Sequence, residues 1–312
     1  MITILGPERP VPVLPKVIEE QKIRGPVALI SAGWRFDEPR DEPLRAAVGV
    51  GVHNLGLYAA FREIERAAPD LMSAYARKQA AVKEARSRYR LGITGAVETC
   101  QRMLADKADY GDPWFKASVG QLRALDQYWI DHTDRLHRSF EEEVAPQRHR
   151  LIRAWRARIL DVLAGCDAVL IAGGHVGVLR NRISFFDLDE ELGKRRVIAW
   201  SAGAMVLCDH ILLYHDHTNF GVGTAEVFDR GLGLLPGVFF LPHARERLEL
   251  EASDNVAILA QRLMPRLAVG LQNGAILENP GHHGNFANTG ADGAAFTLQE
   301  AGGVVPLGRG DA

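Results

Sequence analysis

The segment VIAWSAGAMVLC, residues 197–208, holds the side chain best suited to covalent chemistry. It reads as a short apolar strand, a tight turn of small residues and the first turns of a helix, with Ser201 at the turn. In such an elbow the serine backbone is strained, and the residues two positions to either side must be small for strand and helix to pack. Ala199 and Gly203 meet that demand, Ala199 standing where the usual pattern has Gly. The turn exposes the Ser201 hydroxyl at the carboxyl end of a sheet, and the N–H of Ala202 points to where an oxyanion forms during acyl transfer. A plain serine at a strand-to-helix junction has the same local pattern, so the reading turns on its partners.

A serine hydroxyl becomes a nucleophile when a base takes its proton, and the base is in turn held by a carboxylate. Of the eleven histidines, His243 directly follows an apolar strand inside GLGLLPGVFFLPHARER, which projects its side chain from a strand end on the same edge as Ser201. It is the expected base. Asp216 follows the strand Ile211–Tyr214, again at a carboxyl end, and is the expected orienting acid. Upstream, DAVLIAGGHVGVL runs a buried strand into Gly173-Gly174; glycine allows a sharp turn and an unobstructed N–H, so Gly174 supplies a second oxyanion donor. Gly173, His175 and Arg245 are the expected substrate contacts, a guanidinium being suited to holding a carboxylate.

The elements that must position these residues alternate. Short apolar strands are expected at Val27–Ser31, Ala168–Ala172, Val197–Trp200, Ile211–Tyr214, Val238–Leu241, Leu267–Leu271, Ala275–Glu278 and Ala295–Leu298, separated by turns and helices. That alternation predicts an α/β fold: a largely parallel sheet with helices on both faces and an antiparallel ending, one domain over 1–312. Residues 56–163 differ in character, with sparse Pro and Gly and with apolar residues at helical spacing. Phe115, Val119, Leu122, Leu125, Trp129, Leu136 and Phe140 form one stripe; Leu71, Tyr75, Tyr89, Ile93, Val97, Cys100 and Leu104 form an earlier one, opened by Pro69. A helical hairpin or small bundle inserted in the α/β frame follows, positioned to cap the site or to join two copies of the chain.

A formal charge of −2 over 312 residues argues against nucleic-acid or membrane-surface binding, and 47% hydrophobic residues suffice for a large core. Cys100, Cys166 and Cys208 are isolated and odd in number, which fits a reducing cytoplasm and provides no thiolate metal site. The N-terminal stretch lacks the pattern of a signal peptide, and no run approaches the ~18 apolar residues of a membrane span. No cofactor is implied.

The strand-GG turn, the WSAGA elbow, and GLGLLPG leading through a strand to a histidine together resemble the peptidase E and cyanophycinase serine peptidases over approximately residues 165–280. The resemblance implies a glutamine amidotransferase-like three-layer sandwich, Ser201 as nucleophile, His243 as base, Asp216 as acid, and the backbone groups of Gly174 and Ala202 as oxyanion donors. It implies a small peptide or amide as substrate. The chain departs from the family at His175, where Asn or Asp is usual, at Leu241-Pro242, which replaces an Asp-Gln pair and makes cyanophycin an unsuitable substrate, and at Gln272-Asn273, which replaces an acidic residue. Two other readings compete: a lipase- or esterase-type hydrolase taking its base from His282 or His283, and a binding protein without turnover. The cluster Asp209, His210, His215, Asp216 and His217 has metal-ligand residue types, but His215 and His217 share one side of a strand and Asp216 the other, so no metal site is expected.

Overall fold

The computed structural model describes residues 1–9, 12–214, 217–218, 221–222, 224–279 and 286–308. Its main sheet has seven strands in the order β13-β12-β1-β5-β4-β2-β3. β1 (Ile2–Leu5), β2 (Val27–Ile30), β3 (Val52–Asn54), β4 (Ala168–Ile171) and β5 (Val197–Trp200) run parallel, while β12 (Ile276–Asn279) and β13 (Ala287–Asn288) add an antiparallel edge. The sequence reading starts the regular structure at Val27, yet the N-terminal ITIL is a central strand, paired with β5 on one side and β12 on the other. Four residues, three of them apolar, are too few to identify a strand; the two neighbours that satisfy its backbone do so.

β2, β4 and β5 are buried on both faces, and their residues alternate between two cores. Ala168 and Leu170 of β4 and Ile198 and Trp200 of β5 pack with α1 (Leu14–Glu20) and α2 (Glu42–Val48). Val169, Ile171, Val197 and Ala199 face the opposite core with α3 (Leu57–Ala67), α6 (Arg150–Ala164), α7 (Val176–Phe185), α8 (Asp189–Gly193) and α9 (Ala202–Leu207). This period-two division makes the α/β sandwich: helix layer, sheet, helix layer.

The later strands do not extend that sheet, which corrects the single-sheet expectation. β10 (Val238–Pro242) and β11 (Leu267–Leu271) pair in parallel and continue antiparallel through β14 (Ala295–Leu298) and β15 (Val304–Pro306) as a separate four-stranded sheet. β6 (His210–Leu213) pairs antiparallel with β9 (Glu226–Arg230), and β7 (His217–Thr218) with β8 (Gly221–Val222). An apolar run specifies a strand but not its partner, so the division between sheets was not legible.

Helices fill 56–163 as expected. α4 (Pro69–Ala105) and α5 (Pro113–Val144) form a long hairpin, α5 being capped by Asp112, whose carboxylate accepts from the N–H groups of Trp114 and Phe115 at 2.8 and 3.0 Å. The hairpin docks through a buried polar cluster. Arg262 of α11 (Ser253–Leu263) donates from Nε and Nη2 to Asp126 of α5 at 2.8 and 2.6 Å, from Nη2 to Tyr89 of α4 at 3.1 Å, and from Nη1 to the Ala225 carbonyl at 2.6 Å. Tyr89 stacks on Trp129 at 5.2 Å, and Trp129 donates to the Phe228 carbonyl at 3.2 Å. Among the described residues no helix is long and apolar enough to cross a membrane.

Candidate active site

Ser201 joins β5 to α9 with φ 54° and ψ −123°, a conformation that costs a non-glycine residue about 1–3 kcal/mol. Two close approaches hold it there. A Cβ on Gly203 would lie 2.1 Å from the Ile171 carbonyl oxygen, so only glycine lets α9 start against β4. A Cβ on Gly173 would lie 2.9 Å from Ser201 Cβ and 3.2 Å from its Oγ, so the turn after β4 and the elbow after β5 meet through that missing side chain.

Gly174 has φ +110°, and a Cβ there would fall 2.5 Å from the carbonyl of Gly33. Gly33, in the short 3-10 stretch Ala32–Asp37 after β2, accepts at its carbonyl from the His175 N–H at 2.8 Å. The turn after β4 is thus built by three glycines on two strand ends. Among the described residues neither the Gly174 nor the Ala202 N–H donates to a backbone acceptor, which leaves both for a bound oxygen.

His243 follows β10 with φ 60° and ψ 34° and is half-buried. Its N–H donates to the Leu271 carbonyl at 2.9 Å, and its carbonyl accepts from Glu246 and Arg247, both at 3.1 Å. The preceding carbonyl, of Pro242, accepts from the buried Tyr214 hydroxyl. With the Gln272 amide oriented to satisfy its surroundings, its carbonyl oxygen accepts from the N–H groups of Ala244 and Arg245 at 3.1 and 2.9 Å, and its nitrogen donates to the Glu246 carboxylate at 3.1 and 3.2 Å. Gln272 therefore ties down the turn that carries His243, and the adjacent Asn273 donates to the Pro7 carbonyl at 2.8 Å on the loop after β1. Burial holds the His243 pKa below its ordinary value; the Arg247 cation pushes the same way and the Glu246 carboxylate opposes.

Ser201, His243, Gly173 and Gly174 line one cleft of about 690 Å³ at the carboxyl ends of β1, β2, β4 and β5. Its walls include Trp34 and Trp200, a rim of Pro7, Pro12, Pro15 and Pro43, and the charged Glu8, Arg9, Asp37 and Arg40. Glu8 accepts from the N–H groups of Val13 and Leu14 at 3.2 and 3.0 Å, while burial pushes its carboxyl pKa up. Arg40 pairs with Asp37 at 2.8 Å. No hydrogen bond joins Ser201 to His243 among the described residues, and Asp216, with His215, His282 and His283, lies outside them.

No family model and no curated protein matches this chain. Among solved structures, the crystal structure of a peptidase from an acI-B1 actinobacterium aligns with 99% of this chain and 94% of its own, with a TM-score of 0.46 and 12% identity.

The remaining expected contacts lie elsewhere. His175 caps α7, its Nδ1 accepting from the Val178 N–H at 3.2 Å, and lines a second cavity rather than the Ser201 cleft. Arg245 stacks over Phe296 at 4.9 Å and borders a groove beside α10 (Ala244–Arg247). The residues around Ser201 and His243 that the sequence reading did not assign are Glu8, Arg9 and Trp34 in the cleft, Gly33 against the Gly174 turn and Glu246 near His243; each depends on chain crossings, and only the Gly after β2 left a local signal. Gln272 was noticed as a departure from a pattern, whereas its role is to position the His243 turn. Among the described residues no group of three or more His, Cys, Asp or Glu side chains is placed to hold a metal ion.

Proposed function

We propose that the chain is a serine hydrolase acting on a small peptide or amide. The observation that supports this best is the strained Ser201 at the floor of a cleft, beside the unengaged N–H groups of Gly174 and Ala202. His243, kept neutral near pH 7 by burial, removes the Ser201 proton as Oγ attacks the substrate carbonyl carbon. The two N–H groups receive the oxyanion. The imidazolium then passes its proton to the leaving amine, and water, deprotonated by His243, hydrolyses the acyl-enzyme. Asp216 orients His243 in this scheme, as the sequence pattern indicates, while Glu246 supplies a nearby negative charge. The Arg262–Asp126 pair ties α5 of the long hairpin to α11.

A binding role without turnover draws on one observation, the missing hydrogen bond between Ser201 and His243, a contact that often tightens only when substrate binds. A fluorophosphonate reagent separates the two. Covalent labelling at Ser201, abolished in Ser201→Ala and slowed in His243→Ala, is expected for the hydrolase; folded protein that resists labelling refutes it. Comparing Asp216→Asn with Glu246→Gln identifies the orienting acid, the larger loss of labelling marking the residue that holds the ring.

A further inference from the structure

The Ser201 cleft has two unlike sides. On one, Leu14 of α1 and Trp200 of β5 belong to the smaller of the two cores, and Trp34 and Leu44 pack against that core while lining the cleft. Leu14 and Trp200 are buried, Trp34 and Leu44 are half-buried, and the next turn of α2 adds the exposed Ala47. On the other side His243 follows β10, and its neighbours Leu241 and Ala244 pack in the larger core. The two tryptophans also adjoin the reacting groups along the chain. Trp200 precedes Ser201, and Trp34 follows Gly33, whose carbonyl accepts from the His175 N–H beside the Gly174 turn. The Trp34 N–H donates to the Ser31 carbonyl at 2.8 Å, which fixes the backbone carrying that ring.

The charged residues lining the cleft are two carboxylates, Glu8 and Asp37, and two guanidiniums, Arg9 and Arg40. Glu8 is engaged by backbone N–H groups and Asp37 by Arg40, while Arg9 is exposed and keeps its hydration. An acidic or basic side chain entering here would lose water without meeting an excess of the opposite sign. An apolar one gains by covering Trp34 and Leu44. In the reaction His243 protonates the leaving amine, so the amine lies on the His243 side and the acyl substituent is directed toward the apolar side. On the serine hydrolase reading, on which this rests, we infer that the substrate carries a bulky, uncharged apolar side chain on the acyl side of the scissile bond, seated against Trp34, Leu44 and Trp200.

Diphenyl phosphonates bearing the side chain of Phe, Leu, Ala, Asp or Lys mimic the acyl side and report the preference as the rate of Ser201 labelling. The Phe and Leu reagents should label the full chain about tenfold or more faster than the Ala, Asp and Lys reagents, the usual range for filling an apolar pocket. Trp34→Ala should lower the Phe-to-Ala rate ratio about tenfold, and the ratio cancels any change at Ser201 itself. Ala47→Glu, at an exposed helical position, should lower it severalfold and decides the matter if Trp34→Ala does not fold. Protein that a fluorophosphonate labels, but that reacts fastest with the Ala, Asp or Lys reagent or not at all with the Phe reagent, would overturn the inference and leave the hydrolase standing. So would a Phe-to-Ala ratio unchanged in the variants that fold. Folded protein that resists the fluorophosphonate as well refutes the hydrolase reading and this inference with it.

Discussion

Replacing Gly173 by Ala tests whether the approach of the β4 turn to the elbow sets reactivity. The added Cβ meets Ser201 Cβ at 2.9 Å, some 0.5 Å inside ordinary van der Waals contact, and stands 3.2 Å from Oγ and 3.6 Å from the Ala202 nitrogen. Ser201 and the Ala202 N–H, the nucleophile and oxyanion donor of the proposed reaction, must therefore separate from the Gly174 turn. A misplacement approaching 1 Å costs on the order of 100-fold in a positioned reaction, and loss of one oxyanion donor about 100- to 1,000-fold. The second-order rate of fluorophosphonate labelling should thus fall about 100-fold. Overpacking of this kind costs roughly 1–3 kcal/mol of stability, so thermal unfolding shows whether the variant is folded at the assay temperature. Gly95→Ala is the control: its Cβ meets nothing within 4 Å on an exposed part of α4. It should label at the wild-type rate and gain about 0.5–1 kcal/mol from helix propensity. Labelling of folded Gly173→Ala within about threefold of wild type would refute the geometric argument, because the tenfold-or-greater loss it requires would be absent.

Labelling by wild type should rise with pH with its midpoint below the ordinary histidine value near 6.5, since burial and Arg247 lower the His243 pKa. Arg247→Met should move the midpoint up and Glu246→Gln move it down; a pH–rate profile insensitive to both refutes His243 as the base. Because folded His243 and His175 both have lowered pKa values, the unfolded chain binds more protons between those values and about 6.5. Stability contributed by these groups is therefore present above that window and lost as pH falls through it, which unfolding titrations from pH 7 to pH 5 would register as a declining midpoint. Gln272→Ala frees the turn that holds His243 and should slow labelling about tenfold or more while leaving the pH midpoint near its wild-type position; a wild-type rate refutes the positioning role. Asp126→Ala strands the buried Arg262 cation and should cost about 3–5 kcal/mol in denaturant unfolding, with the double variant Asp126→Ala, Arg262→Met recovering part of that loss.

Local pattern was enough to identify the elbow, the glycine turn, most strands and the α4–α5 hairpin, because each is written in contiguous residues: small neighbours around Ser201, apolar runs bounded by Gly, and two stripes of apolar side chains at helical spacing, the first opened by Pro69. Tertiary structure decided what those segments meet. It made the N-terminal Ile2–Leu5 a central strand, put β10 in a second sheet, and brought His243 to the Ser201 cleft through a turn held by Gln272. It also turned His175 and Arg245 away from that cleft. The physical reason is the range of the interactions. Turn strain and amphipathic periodicity act within a few residues, whereas strand pairing, glycine close approach and the sharing of a cavity depend on segments up to hundreds of residues apart, whose meeting no local pattern encodes.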